Sequence, residues 1–240
     1  MIRDIMAALG LLTRLPVPLA PPRPEGAWAW PLAGGAVGAL AALAGGAGLG
    51  LGLPAGIAAG MALAAGMLAT GALHEDGLAD CADGFWGGRD KARRLAIMKD
   101  SAIGSYGTLA LIVTVLVRWQ AVTAILAGGD WPLLIAAAAL SRAPMAALSA
   151  FLPNARGAGL SQSVGRPLPR TAGLSAAAGL GIALATAGEA ALPMAFGAAL
   201  AACVVALVAR TKIGGQTGDV LGASQQLAEV GALMAGIAVL

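Results

Sequence analysis

Six of the chain's 12 acidic residues lie between positions 75 and 100: Glu75, Asp76, Asp80, Asp83, Asp90 and Asp100. The densest stretch is residues 74–84, HEDGLADCADG. Asp76, Asp80 and Asp83 are spaced i, i+4, i+7, which on a helix places them within roughly 60° of one face. Three carboxylates on one face repel each other unless a positive group sits among them. Mg²⁺ prefers such oxygens, usually one or two carboxylates together with substrate phosphates. The pattern therefore reads as a Mg²⁺ site that presents a diphosphate. Gly87, Gly88 and Arg89 follow, and then Lys91, Arg93, Arg94 and Lys99. Arg89, Arg93, Arg94 and Lys99 are candidates to clamp the phosphate oxygens that the metal does not reach. An acidic run is more often a solvated surface, and a basic run often marks contact with anionic lipid. The two runs side by side favour chemistry.

His74 is the chain's single histidine and directly precedes the carboxylates, where a proton acceptor would serve. Asp83 is the other candidate base. A second loop contains Asn154, Arg156 and 157–163. A third runs Gly214-Gly215-Gln216-Thr217-Gly218-Asp219. Its glycines can bring backbone N–H groups close to a phosphate. Asp219 is a candidate fourth metal ligand, and equally a helix-terminal residue. Cys81 and Cys203 have neither metal-ligand spacing nor a nucleophile's surroundings.

These residues must be held by an unusual chain. Of its 240 residues, 58% are hydrophobic and 11% charged, with a mean hydropathy of +0.82. Soluble domains carry about 25% charged residues, so a soluble monomer and a disordered chain are both excluded. A spanning helix needs about 20 mostly apolar residues. Seven segments qualify to varying degrees: 31–53, 55–73, 107–127, 133–152, 171–188, 193–209 and 220–240. The expected fold is all-α: a polytopic membrane bundle of about seven spans, one domain over 1–240, with the active-site loop at 74–106. Pairs such as Gly34/Gly38, Gly46/Gly50 and Gly56/Gly60 have the spacing that lets helices approach closely in lipid.

Seven spans put 1–30, 74–106, 153–170 and 210–219 on one side. That side holds every basic residue except Arg118 and Arg142, while the opposite loops carry only Asp130 and Glu189 as charges. The bias places the basic side in the cytoplasm. It also accounts for the net charge of +3 without a nucleic-acid partner. Ile5 to Leu12 is too short for a span or for the core of a cleaved signal peptide. It reads as an interfacial helix followed by a proline-rich bend, with Trp28 and Trp30 at headgroup level. Arg118 and Arg142 lie within spans and must face the interior. They are suited to binding an anion or to pairing with Glu229, with Gln120 and Ser141 as polar neighbours.

The stretch from His74 to Gly84, followed by Gly87-Gly88-Arg89 and by Ile97-Met98-Lys99-Asp100-Ser101 with Gly104 and Gly107, resembles the cobalamin synthase family, also called adenosylcobinamide-GDP ribazoletransferase. Leu12-Thr13-Arg14-Leu15-Pro16-Val17-Pro18 and 214–223 resemble it too, so the likeness runs the length of the chain. It gives Glu75 no role. The resemblance implies a Mg²⁺-dependent transferase of the bacterial inner membrane. Adenosylcobinamide-GDP and α-ribazole, or its 5′-phosphate, would give adenosylcobalamin, or its phosphate, and GMP at the cytoplasmic face. Asp76, Asp80, Asp83 and Asp219 would hold the metal. Membrane lipid is an expected partner, nucleic acid is not, and oligomeric state is left open.

Three other readings compete. Asp80-x-x-Asp83-Gly84 resembles the opening of the CDP-alcohol phosphotransferase signature, but the Ala-Arg and the two later aspartates of that signature are missing. Asp76-x-x-x-Asp80 resembles the motif of membrane prenyltransferases, but a second aspartate-rich motif is absent. A transporter would use Arg118 and Arg142 and leave the carboxylate cluster unexplained.

Overall fold

The computed structural model describes residues 1–18 and 20–240. Eleven α-helices and no strands occur among them. A short amphipathic helix, α1 (Ile2–Leu12), and a 3-10 turn (Pro24–Ala29) lead into α2 (Trp30–Gly50) and α3 (Ala55–Thr70). Then come α4 (Leu73–Gly87), α5 (Lys91–Ile97), α6 (Ser105–Gly128) and α7 (Pro132–Phe151). The short α8 (Leu160–Val164) precedes α9 (Pro169–Ala187), α10 (Ala191–Ile213) and α11 (Gly218–Ile237).

The core has two apolar layers. One gathers Ala42, Ala58, Leu63, Ile125, Leu134, Met194 and Leu233. The other gathers Leu12, Trp30, Leu78, Phe85, Met145, Val164, Val205 and Val220. Each of α2, α6, α7, α9, α10 and α11 contributes to both layers or packs on both, so each runs from one end of the bundle to the other. Helix α3 supplies the first layer and ends near the second. The seven expected segments thus all exist as helices. The segments 1–30, 74–106, 153–170 and 210–219 collect at the end of the second layer.

By length and composition, fewer stretches qualify as crossings than the seven expected. They are Pro24–Gly50, Ser105–Gly128, Pro132–Phe151 and Pro169–Ile213, or five if Ala55–Thr70 with Leu73–Gly87 counts as one broken span. The reasons are local. Helix α3 is only 16 residues long. Helix α11 carries Asp219, Gln225, Gln226 and Glu229. The 45-residue stretch Pro169–Ile213 contains two of the expected spans, α9 and α10, broken at Gly188 (φ 54°).

Glycine allows several close approaches, among them two that place α7 and α4. A Cβ on Gly34 would strike the Ala138 carbonyl, and one on Gly38 would lie 2.7 Å from the Leu134 carbonyl. This pair lets α2 press on α7. Gly46, Gly50 and Gly60 have nothing within reach, and a Cβ on Gly56 would meet only the Trp119 ring, at 3.1 Å, so the other two expected pairs bring no helix backbones together. The second approach joins α4 to α11. A Cβ on Gly77 would sit 2.8 Å from the Asp219 carbonyl, and one on Gly222 would sit 3.3 Å from the His74 backbone.

Helix α4 owes its direction to a corner. Gly71 (φ 64°) and Ala72 (φ 55°) are both left-handed, and α4 leaves α3 at 88°. The Ala72 N–H bonds to the Met67 carbonyl, which closes the end of α3. Arg14 braces the corner: its N–H donates to the Ala69 carbonyl at 2.7 Å, and its side chain lies over Gly71. The N-terminal segment is tied down elsewhere as well. Asp4 is buried and accepts hydrogen bonds from Arg23 at 2.8 Å and from the Trp28 indole at 3.3 Å. The Arg23 guanidinium holds the Asp4 carboxyl below its usual range. Trp28 is thereby held by protein. Trp30, expected at the headgroups, is 4% exposed, because the first turn of α2 points into the second apolar layer.

Candidate active site

Two of the carboxylates of α4, Asp76 and Asp80, lie near its crossing with α11. Asp76 is exposed and Asp80 is half-buried, and both lie in the first two and a half turns. Asp219 lies in the first turn of α11, directly across the Gly77 approach. Burial, with Asp219 and Asp76 close by, pushes the Asp80 carboxyl up to about 7. Burial also raises Asp219, against the pull of Arg156. Such mutual strain marks a place where positive charge would be welcome.

The structure supplies one cation there. Arg156 donates to Asp219 Oδ2 at 3.0 Å. The Arg156 Nε is buried and has no partner. Loop pairing brings this arginine into place. The Gln216 N–H donates to the Pro153 carbonyl at 2.9 Å, and the Ala155 N–H donates to the Gln216 carbonyl at 2.8 Å. Asn154 Oδ1 then accepts from the N–H groups of Arg156 and Gly157. Asn154 Nδ2 donates to Ser161, whose hydroxyl donates to Gln216 Oε1 at 2.7 Å. The Thr217 hydroxyl caps α11 by accepting the Val220 N–H, and it also reaches Asp219 at 3.2 Å. Arg156 was visible as the basic residue of the glycine-flanked second loop. Its pairing with Asp219 had no local signal.

Asp83 is placed differently from its neighbours. Its two oxygens accept the backbone N–H groups of Gly104 at 2.7 Å and Gly107 at 2.9 Å. A Cβ on either glycine would collide with this carboxylate. Asp83 therefore anchors the N-terminus of α6, a use that occupies both oxygens. No three His, Cys, Asp or Glu side chains among the described residues stand ready as a metal-holding group. The four expected ligands are thus three carboxylates close enough to repel one another and one helix anchor. A Mg²⁺ site needs only one or two protein carboxylates when phosphates complete it. The donors Asp76, Asp80 and Asp219 fit that description.

The expected phosphate clamp is scattered. Arg94 donates to the carbonyls of Lys212 at 2.9 Å and Arg89 at 3.3 Å. Arg89, Arg93 and Lys99 are exposed around α5, beyond the C-terminal end of α4. That end lies about 10 Å along the axis from Asp80, at ~1.5 Å per residue.

A cavity of about 150 Å³ opens on the carboxylates. Asp76, Arg156 and Asp219 line it together with His74, Ser149 and an apolar wall. His74 is 1% exposed, and its Nε2 has no partner. Burial, with Arg142 and Arg118 nearby, holds it well below the usual histidine pKa, so the ring is neutral.

Behind His74 lies a buried polar layer between the two apolar ones. Arg118 donates to Glu75 at 3.1 Å, to Gln226 at 2.9 Å and to Glu229 at 2.8 Å. Arg142 stands 3.6 Å from Glu229 and donates to the Ala138 carbonyl. Gln225 bridges Ser141 and Glu229. Two arginines thus meet two glutamates, which leaves the layer neutral. The expected partner Glu229 is present. Glu75, to which no role had been given, is the other, and Gln120 faces outward.

Comparison with known proteins then decides the family. A family model described as cobalamin-5-phosphate synthase matches residues 4–237. The chain belongs to the cobalamin-5-phosphate synthase family. An adenosylcobinamide-GDP ribazoletransferase of Bradyrhizobium diazoefficiens is 42% identical, covering 99% of this chain and 94% of its own. One from Azorhizobium caulinodans is 45% identical over 96% of this chain and 94% of its own. One from Brucella ovis is 41% identical over 98% and 96%. No solved structure matches the chain. Like the expected fold, this member of the synthase family is a helical membrane bundle. The CDP-alcohol, prenyltransferase and transporter readings give way to the family match.

Proposed function

We propose that this protein transfers the adenosylcobinamide phosphate of adenosylcobinamide-GDP to α-ribazole, or to its 5′-phosphate, and releases GMP. The acceptor hydroxyl attacks the β-phosphorus of the diphosphate. The bond from that phosphorus to the bridging oxygen breaks, and GMP leaves with that oxygen. The proton of the attacking hydroxyl passes to a base of the protein. The observation that carries this reading is the meeting of Asp76, Asp219 and Arg156 on the wall of one cavity, with Asp80 close enough to feel both carboxylates.

One or two of Asp76, Asp80 and Asp219 would hold Mg²⁺ together with the diphosphate, and the metal would supply charge neutralisation there. The chain's own residues do the rest. Arg156, beside Asp219 on the cavity wall, is placed to donate to phosphate oxygens, and its unpartnered Nε is a further donor. Of the two base candidates, Asp83 is committed to α6, and His74 lines the cavity with an unpartnered Nε2 but is kept a weak base by burial and the nearby arginines. Arg89, Arg93 and Lys99 form an outer basic rim that attracts the anionic substrate. The site faces the cytoplasm of a bacterial inner membrane, following the basic residues gathered at its end of the bundle.

The test uses purified protein in detergent with adenosylcobinamide-GDP, α-ribazole and Mg²⁺. GMP and the cobalamin product should appear in equal amounts, and GMP should not appear when α-ribazole is omitted. No GMP release in the complete mixture overturns the proposal.

A further inference from the structure

The lining of the cavity beside Asp219 has two unlike parts. Asp76, Arg156 and Asp219 are its charged part. Its apolar part includes Leu12, Trp30, Met145, Val164 and Leu221, each at most 6% exposed. Five separate elements supply these residues: α1, α2, α7, α8 and α11. Trp30 is the wall's only aromatic ring. With about 150 Å³ the space is smaller than the ~300–1,000 Å³ typical of pockets for a whole drug-sized ligand. It suits one ring system, with the rest of the molecule left outside.

A second hollow of about 430 Å³ adjoins it and shares Ser149, Ser161 and Gly165. Its lining is polar, with Asn154, Gln162, Gln216 and Arg166. An apolar base placed there would strip water from those amides and return no hydrogen bonds. In the first cavity the same base gains apolar contact and desolvates little.

We propose that the apolar part of the first cavity holds the flat heteroaromatic base of the acceptor nucleoside, with its ribose turned toward Asp76, Arg156 and Asp219. The ligand class is a riboside of an apolar fused-ring base, such as a methylated benzimidazole, which has no N–H to satisfy. The assignment rests on the reaction proposed above. It makes Val164 and Met145 specificity-determining residues, because they set the room beside Trp30. The ribose hydroxyl then emerges where the carboxylates stand, so that recognition of the base also aims the nucleophile.

Two variants and two acceptors test it. Val164→Phe should raise the KM for α-ribazole by about tenfold, the effect of a lost or clashing methyl in an apolar pocket. The KM for adenosylcobinamide-GDP should stay within about twofold. The same variant should turn the preference toward the unmethylated benzimidazole riboside. Met145→Ala should turn it the other way, toward a bulkier base. Loosened packing alone would move both KM values together and keep the order of acceptors. Either of those results, or an unchanged preference in both variants, overturns the assignment. Binding of α-ribazole, followed by tryptophan fluorescence, should rank the variants in the same order without turnover. An inactive wild-type protein that still ranks them so would defeat the proposed reaction and leave the pocket standing. Absence of both activity and binding would defeat both.

Discussion

At the residue scale, the site is a balance between three carboxylates and one arginine. Asp83 stands outside that balance because two amides of α6 claim it. Arg156 enters it through Asp219. Arg156→Ala should lower the transfer rate by about a hundredfold, as removal of a charge-assisted phosphate contact does. Arg156→Lys should recover only part of it, since a lysine lacks the two-pronged geometry. Rates equal to the wild type in Arg156→Ala would place the phosphate elsewhere. Asp4 makes a separate prediction. Its carboxyl is held low by Arg23, so the pair stabilises the fold above the ordinary aspartate pKa near 3.8. That contribution is lost as pH falls through the lowered value. Thermal unfolding of Asp4→Asn should match the wild type at low pH and fall below it at neutral pH. The i, i+4, i+7 spacing correctly announced one helix face. It could not show that Asp83, one turn further on, would meet the end of another helix, because that contact joins residues 21 and 24 positions apart.

At the element scale, α4 is the part that matters most. The left-handed pair Gly71–Ala72 turns it across the bundle, and Gly77 against Gly222 lets it touch α11. Glu75 then pins it from beneath to Arg118 and Gln226. Breaking one partner of a buried ion pair costs about 3–5 kcal/mol, while removing both together costs far less. Glu75→Leu should therefore lower the unfolding temperature in detergent sharply. The double variant Glu75→Leu with Arg118→Leu should be less unstable than the two single effects added together. Simple additivity would mean that the pair does not hold the helix. The helices themselves were readable from apolar run lengths. The polar layer was half readable: Arg118, Arg142 and Glu229 stand out in apolar runs, whereas Glu75 is lost among its acidic neighbours. The corner before α4 was not readable, since it depends on a positive φ at an alanine.

At the scale of the whole molecule, two apolar layers enclose a neutral polar one, and every loop that bears the site lies at one end. In the proposed orientation, which rests on the charge bias, that end faces the cytoplasm. In a background lacking Cys81 and Cys203, a cysteine replacing Ser101 should resist a membrane-impermeant thiol reagent applied to intact cells. One replacing Asp130 should react. The reverse pattern would turn the molecule over and put the site outside. The distribution of arginine and lysine along the chain already groups these loops at one end, as the structure has them. The number of apolar crossings did not follow as directly, because α3 is short and α11 carries the polar side chains of the layer.

The claim on which the rest depends is that the carboxylates at the crossing of α4 and α11 carry the transfer. The most direct measurement is the rate of GMP release by Asp219→Asn and Asp80→Asn, each shown by thermal unfolding to be folded in detergent. The account predicts a loss of at least about a hundredfold in each, the scale seen when a group that stabilises transition-state charge is removed. Wild-type rates in both folded variants would contradict it.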